Sequence, residues 1–155
     1  MADVSVRLED VDEDNWMSVV LLTTETERQP KVVEQYVASN ALSIVQAVYE
    51  QTWDYKAVYC GDKPVGFVMY GYNGERDAYE ILRLMIDSRY QDKGIGTIAL
   101  KLAIGELAEN EDCDCIYVST NKDNYGAKRI YEKNGFVYTG EMSGDEELYS
   151  LDLSC

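Results

Sequence analysis

The sequence contains no histidine, and its 14 Lys and Arg residues are outnumbered by 29 Asp and Glu residues, which gives a formal net charge of −15. Without histidine, any proton transfer must use another side chain, and a mixed Cys/His zinc site cannot form. A surface this acidic repels phosphate backbones, so we expect no nucleic-acid partner. The same surface attracts cations, polyamines included, although solubility alone also explains such a charge.

Long apolar runs are absent too, since no stretch approaches the roughly 18–20 apolar residues of a membrane helix. Residues 1–5 lack the basic and apolar regions of a signal peptide. We therefore expect no membrane partner and a cytoplasmic location. Strong structural zinc signals use Cys pairs with two to four residues between them. No such pair occurs among Cys60, Cys113, Cys115 and Cys155, so we expect reduced, structural thiols and no metal.

The chain of 155 residues fits a single domain, 1–155, because it shows no repeat, low-complexity segment or linker. Residue periodicity predicts a mixed sheet with helices on its faces, an α/β (α+β) fold. The predicted strands cover 4–8, 55–60, 65–72, 78–86, 115–119, 136–139 and 147–153. The predicted helices run from a cap at Asp12 or Asp14 through Leu22, and over 31–38, 40–52, about 96–107 and 124–134.

A turn with two glycines, Gln91-Asp92-Lys93-Gly94-Ile95-Gly96, separates the strand at 78–86 from the helix that follows it. The glycines allow backbone N–H groups to approach a pyrophosphate, and the helix adds its free N–H groups and the positive end of its dipole. Lys93 and Thr97 are nearby donors. The turn lacks the Gly-Lys-Ser/Thr ending of a P-loop and the third glycine of a dinucleotide fingerprint. By itself it fits a structural turn equally well.

A second motif lies in the helix at 124–134, where Asn124, Ala127 and Tyr131 share one face. The small Ala127 side chain lets a ligand come close, and Tyr131 presents a hydroxyl beside it. Gly135 is suited to end the helix. Because the sequence has 13 tyrosines, a tyrosine packed in the core is the alternative interpretation of Tyr131.

Both motifs resemble those of the GNAT acetyltransferase superfamily, in the same order and separation. Gln91-x-x-Gly94-x-Gly96 matches the Q/R-x-x-G-x-G/A signature that holds the CoA pyrophosphate. The helix motif, continued to Gly135-Phe136, matches the pattern N-x-x-A-x-x-x-Y-x-x-x-G-F. The resemblance implies a GNAT-type mixed, mostly antiparallel sheet of about seven strands with about four or five helices, splayed near the acetyl-CoA site. It also implies direct acetyl transfer from acetyl-CoA to a primary amine, and by analogy a homodimer.

The resemblance assigns roles to particular residues. Main-chain groups of Leu84, Met85 and Ile86 are expected to engage the pantetheine and the acetyl carbonyl. The remaining CoA contacts fall on Gln91, Asp92, Lys93, Gly94, Ile95, Gly96, Thr97, Asn124 and Ala127. Tyr131, itself part of the CoA site, is expected to protonate the leaving thiolate. Asp92 stands where the family commonly has glycine, so its carboxylate has to point away from the phosphates.

The base and the substrate residues are less narrowly defined. Glu80, four residues before Leu84, matches in position the glutamate that acts as base in histone-acetylating members; a half-exposed strand glutamate, or a water chain as base, is the alternative.

Residues 35–44, 55–59, 65–71 and 83–91 resemble bacterial spermine/spermidine (diamine) acetyltransferases, which implies a small cationic amine as substrate. Carboxylates and aromatic faces attract ammonium groups. The candidates for lining its groove are Glu34, Tyr36, Glu50, Trp53, Asp54, Tyr72 and Glu80. Another amine, such as an aminoglycoside or a protein N-terminus, and a non-catalytic CoA-binding module are the alternatives.

Overall fold

A computed structural model describes residues 5–24 and 39–154. Seven strands are present: β1 (Val6–Asp10), β2 (Trp53–Cys60), β3 (Lys63–Asn73), β4 (Ala78–Ile86), β5 (Cys115–Asn121), β6 (Val137–Ser143) and β7 (Glu146–Asp152). The described helices are α1 (Trp16–Val20), α2 (Asn40–Glu50), α3 (Ile95–Ala108) and α4 (Tyr125–Lys133), with a 3₁₀ turn at Ser88–Tyr90. None of the helices in the two described ranges is long and apolar enough to cross a membrane.

The strands form one mixed sheet in the order β1-β2-β3-β4-β5-β7-β6. Every neighbouring pair is antiparallel except β4 and β5, which run parallel. This parallel pairing holds only at Tyr79↔Ile116 and Glu80↔Tyr117, after which the two strands separate while β4 continues to Ile86. The expected mostly antiparallel, splayed sheet is thus confirmed.

Two apolar clusters cover the two faces of the sheet. On one face, Val68 and Ile116 pack with Leu100 of α3, and α4 contributes to the same cluster. On the other face, Phe67 and the strand residues beside it pack with Val19 of α1 and with α2. Successive side chains of a strand point to opposite faces, so strands buried on both sides are apolar almost throughout, as β3 is.

A β-bulge shapes the central strand β4. Met69 pairs with Arg83, but the next residue, Tyr70, pairs with Ile81, which leaves Leu82 as an extra residue in β4. Leu82 packs in the cluster on the α1/α2 face, and Arg83 shares that face because it lies opposite Met69. A bulge bends its strand and increases its twist, which helps β4 to diverge from β5.

Several predicted boundaries move for local reasons. Helix α1 begins later than predicted, because Asn15 is the residue directly before it. Of the two expected caps, Asp12 caps the turn that leads into α1: its carboxylate accepts hydrogen bonds from the Asp14 and Asn15 N–H groups at 2.9 and 3.1 Å. Helix α2 ends at Glu50, two residues early, because Gln51 adopts a left-handed backbone with φ 62°. The predicted helix at 31–38 lies outside the described residues.

Candidate active site

A cleft of about 310 Å³ opens where β4 and β5 separate. It lies between the end of β4, the loop that follows, the first turn of α3 and one face of α4. The cleft brings together nearly all residues expected at the CoA site: Leu84, Met85, Ile86, Gln91, Asp92, Gly94, Ile95, Gly96, Thr97, Asn124, Ala127 and Tyr131. Lys93 is the exception, since it is exposed and its Nζ lies 5.8 Å from the centre of the Tyr90 ring.

Five lining residues were not expected from the sequence: Thr24, Tyr90, Gly126, Arg129 and Ile130. Arg129 is the most informative of them, because it places a cation in the cleft of a protein with a net charge of −15. A basic residue between two motif positions, Ala127 and Tyr131, was the signal available in the sequence.

The unpaired edge of β4 faces this cleft. Beyond Glu80, no strand of the described chain pairs with β4 on the β5 side, so the main-chain groups of Leu84 and Ile86, which point away from β3, are available to a ligand. The side chain of Gln91 holds the end of this edge in place, because its Nε2 donates to the Ile86 carbonyl at 2.9 Å.

Asp87 anchors the turn that leads into the loop. Its buried carboxylate accepts hydrogen bonds from the Thr23 and Arg89 N–H groups, at 3.1 and 3.0 Å, and from Arg89 Nε at 2.8 Å. Burial opposes the ionisation of Asp87, but these hydrogen bonds and the Arg89 charge together lower its pKa below the ordinary value. The carboxylate thereby joins the end of β4 to the chain that follows α1.

The glycine-rich loop contains two left-handed residues, Asp92 with φ 62° and Gly94 with φ 81°. A left-handed position favours glycine, and Asp is among the few other residues that visit it. This conformation explains how aspartate can stand at a position where the resembling family commonly has glycine.

The start of α3 has the features of an anion site. Its N-cap residue, Gly94, offers no side-chain cap, so the N–H groups of the first turn are left for another acceptor. A Cβ added at Gly96 would lie 3.6 Å from Ile86 Cγ1 and 3.7 Å from Ile130 Cδ1, which are ordinary van der Waals distances. The space beside the Gly96 backbone is therefore about the size of one methyl group. Backbone donors, a helix dipole and an adjacent Arg129 fit the pyrophosphate of CoA.

Helix α4 presents Asn124 and Tyr131 to the same cleft. Asn124 Oδ1 accepts a hydrogen bond from the Ala127 N–H at 3.2 Å, which caps the helix and fixes the first residue of the motif. Tyr131 is 8% exposed, and its ring centre lies 5.7 Å from that of Phe136 and 6.3 Å from that of Tyr149. Burial first, and the Glu146 charge second, raise the pKa of Tyr131 to about 12. The hydroxyl is therefore protonated at neutral pH.

Glu80 lies outside the cleft lining, at the point where β4 and β5 are still paired. The residue is only 2% exposed, so the alternative of a half-exposed strand glutamate is wrong. Asn73 Nδ2 donates to Glu80 Oε2 at 2.6 Å, and Arg76 Nε lies 3.6 Å from the same oxygen. Glu80 is thus a buried carboxylate with two polar partners.

The expected substrate residues do not form one lining. Trp53 belongs to the cluster on the α1/α2 face, and its Nε1 donates to Glu50 Oε2 at 2.9 Å. Asp54, the next residue of β2, points to the opposite face, where its charge acts on Tyr70 and Lys56. The prediction that Asp54 lines one groove together with Trp53 and Glu80 is therefore wrong. Tyr72 instead packs edge-on against Tyr79, with ring centres 5.4 Å apart. Glu34 and Tyr36 lie outside the described residues.

Comparison with known proteins places this fold and cleft in a family. The family model "Acetyltransferase (GNAT) family" matches residues 18–136. The spermine/spermidine N(1)-acetyltransferase of Bacillus subtilis (strain 168) is 34% identical over 146 residues, which cover 84% of this chain and 95% of that protein. The chain belongs to the GNAT family, and it is an acetyl-CoA-dependent amine acetyltransferase.

Solved structures share the fold at low sequence identity. A spermidine N-acetyltransferase SpeG chimera from Vibrio cholerae and hSSAT has a TM-score of 0.75 at 17% identity, with 96% of each chain covered. The PaiA N-acetyltransferase from Thermoplasma acidophilum, solved in complex with coenzyme A, has a TM-score of 0.68 at 15% identity, covering 96% of this chain and 99% of that one.

Proposed function

We propose that this enzyme acetylates a small polyamine or diamine, with residues 1–155 acting as one acetyltransferase domain. The observation that carries the proposal is the 34% identity with a spermine/spermidine N(1)-acetyltransferase over 84% of the chain. The net charge of −15 adds support, because it attracts a multiply charged cation. The cytoplasmic location and the homodimer stay predictions.

Acetyl-CoA supplies the acetyl group as a reactive thioester. In our proposal the loop from Gln91 to Thr97 and the first turn of α3 bind its pyrophosphate. Of the two expected donors, Met85 and Ile86, the main-chain N–H of Ile86 polarises the acetyl carbonyl, because that of Met85 faces β3. Asn124 and Ala127 border the same cleft. The Tyr131 hydroxyl, which its raised pKa keeps protonated, donates a proton to the departing sulfur.

The amine must lose a proton before it can attack, because an alkyl ammonium has a pKa of about 10.4. We assign Glu80 as the proton acceptor. Since the carboxylate is buried and does not line the cleft, the proton reaches it through ordered water rather than directly. The amine nitrogen then bonds to the acetyl carbon as the carbon–sulfur bond breaks and Tyr131 protonates the sulfur. The ammonium loses two protons in all: Glu80 holds the first, and the second, released as the amide forms, returns through water to the Tyr131 oxygen.

A second candidate substrate is a protein N-terminus. The N-alpha-acetyltransferase 30 of Xenopus laevis is 44% identical over 57 residues, which cover 37% of this chain and 20% of that protein. The match is higher in identity but much shorter than the one to the spermine/spermidine enzyme, so it ranks second.

The test is to measure free thiol release from acetyl-CoA with a panel of amines at low and moderate salt. The panel contains spermidine, spermine, a diamine, an aminoglycoside and a peptide with a free N-terminus, with acetyl-CoA alone as the blank. We expect release with the polyamines, falling as salt rises because screening weakens their attraction to the protein. Release with the peptide alone would favour the second candidate. Binding of acetyl-CoA without release for any amine would favour a non-catalytic module.

A further inference from the structure

A polar network surrounds Glu80 on the α1/α2 face of the sheet. Its centre is Arg76, in the turn between β3 and β4. Arg76 Nε lies 3.6 Å from Glu80 Oε2, and Arg76 Nη2 donates to Ser143 Oγ at 2.8 Å. Ser143 is the last residue of β6, so one guanidinium joins the β3–β4 turn, the central strand and the β6–β7 hairpin.

Asn73 fixes the turn that carries Arg76. Its Oδ1 accepts hydrogen bonds from the N–H groups of Glu75 and Arg76, at 3.0 and 3.3 Å, while its Nδ2 donates to Glu80 at 2.6 Å. The same side chain therefore sets the position of the cation and contacts the carboxylate. The arrangement of Arg76 and Glu80 is built by the turn rather than by two free surface side chains.

The ion pair is shielded from solvent. The Glu80 side chain is 3% exposed and that of Arg76 is 26% exposed. The Arg76 guanidinium also lies over the ring of Tyr117, 5.7 Å from its centre, and Tyr117 is the residue of β5 opposite Glu80. Loss of one partner of a buried pair is severe because the other charge is left uncompensated. Removal of Arg76 would leave such a carboxylate at Glu80.

We propose that Arg76 is a positioning residue that holds the Glu80 carboxylate in place to accept the proton of the amine. This inference rests on the proposed role of Glu80 as proton acceptor. The contact with Ser143 has a different effect, because it holds the β6–β7 hairpin against the turn. Arg76 itself touches neither the cleft lining nor the reacting atoms.

The experiment is a double-mutant cycle of Arg76→Met and Glu80→Gln. We expect Arg76→Met to lower kcat at least about tenfold, which corresponds to about 1.4 kcal/mol, and to leave KM for acetyl-CoA unchanged because Arg76 does not line the cleft. In the Glu80→Gln background the same change should have little further effect, because contacting residues that act through one group are not additive. Arg76→Lys should recover part of the rate.

Two further variants separate positioning from general structural effects. Ser143→Ala removes only the hairpin contact, so kcat should stay close to the wild-type value. Arg7→Met is the matched control, because Arg7 also pairs with a glutamate, Glu9, at 2.5 Å and lies over a tyrosine ring, Tyr59, at 5.0 Å. Arg7 is on β1, at the edge of the sheet away from the cleft, and its loss should leave kcat and KM unchanged.

The outcomes distinguish a failure of the role proposed for Arg76 from a failure of the role proposed for Glu80. If Glu80→Gln has wild-type kcat, the assignment of Glu80 as proton acceptor is wrong. If Glu80→Gln is slow but Arg76→Met is not, or if Arg76→Met slows both backgrounds equally, Arg76 does not act through Glu80 and the inference is wrong. Thermal melting verifies that each variant folds. Should Arg76→Met fail to fold, the same cycle of kcat and KM measurements with Arg76→Lys decides the question.

Discussion

Replacement of Tyr131 by phenylalanine removes one hydroxyl and leaves the buried ring in place. The ring packs against Phe136 and Tyr149, and phenylalanine preserves both contacts. Loss of a single hydroxyl changes the free energy of unfolding by about 1 kcal/mol at most in a typical case. We therefore expect Tyr131→Phe to fold, to melt close to the wild-type temperature, and to bind acetyl-CoA with nearly wild-type affinity.

The expected effect on catalysis is far larger. Burial raises the pKa of Tyr131 from 10.0 to about 12, which is about 3 kcal/mol in favour of the protonated hydroxyl. At pH about 8, only about one molecule in ten thousand has lost this proton. A positioned general acid contributes about 10²- to 10⁴-fold, so kcat of Tyr131→Phe should fall at least about 100-fold.

The assay is thiol release from acetyl-CoA as a function of pH, with an independent titration of acetyl-CoA binding. Because the pKa is raised to about 12, ionisation of Tyr131 should give the wild type no basic limb near pH 10. Wild-type kcat in Tyr131→Phe would refute the acid assignment. If the kcat profile of the wild type has a basic limb centred near pH 10 that is absent in Tyr131→Phe, burial does not raise the pKa of the hydroxyl.

The same raised pKa also affects stability. The folded protein holds the Tyr131 proton up to pH about 12, whereas the unfolded chain releases it near pH 10. The resulting contribution to the free energy of unfolding is complete below pH 10 and is lost as the pH rises through 12. In urea unfolding the wild type should lose about 3 kcal/mol over this interval that Tyr131→Phe does not lose.

Two smaller predictions concern the frame of the cleft. In Gly66→Ala the new Cβ would meet the Met85 carbonyl oxygen at 2.5 Å, so unfolding should show a loss of about 1–3 kcal/mol and acetyl-CoA should bind more weakly. The control Gly105→Ala, where no atom lies within 4 Å, should gain about 0.5–1 kcal/mol; equal effects would contradict the close approach. Asp87→Asn should cost about 1–2 kcal/mol at neutral pH. Because the Asp87 pKa is lowered on folding, that difference should vanish as the pH falls through the folded value, and a constant difference would contradict the linkage.

The CoA side of the site could be predicted from the sequence because its residues form two local motifs. A loop between a strand and a helix, and residues spaced three and four apart on a helix, fix their own relative positions. Asn124, Ala127 and Tyr131 share one helix face, as their spacing predicts, and they line the same cleft as Gly94 and its loop, as the family resemblance implies.

The positions of the residues expected at the amine groove could not be predicted, because they depend on sheet register and on contacts far apart in sequence. Asp54 and Trp53 are neighbours in sequence but lie on opposite faces of β2. The bulge at Leu82 places Arg83 on a face that simple alternation does not predict. Arg76 meets Ser143 across 67 residues, through a turn and a hairpin whose pairing no local pattern encodes.

Charged side chains lie on both sides of β4. Arg129 lines the cleft proposed for the anionic CoA, and Lys93 is an exposed residue of its loop. On the α1/α2 face, the charges of Glu146, Glu80 and Glu50 all act on Arg83; burial lowers the pKa of its guanidinium, and the three carboxylates oppose that shift. That face therefore combines carboxylates with the guanidinium groups of Arg76 and Arg83, whereas the cleft combines Arg129 and the N-terminus of α3 with Asp92. The acidic composition is compatible with binding an anionic cosubstrate, because Arg129 and the N–H groups of the first turn of α3 supply local donors in the cleft.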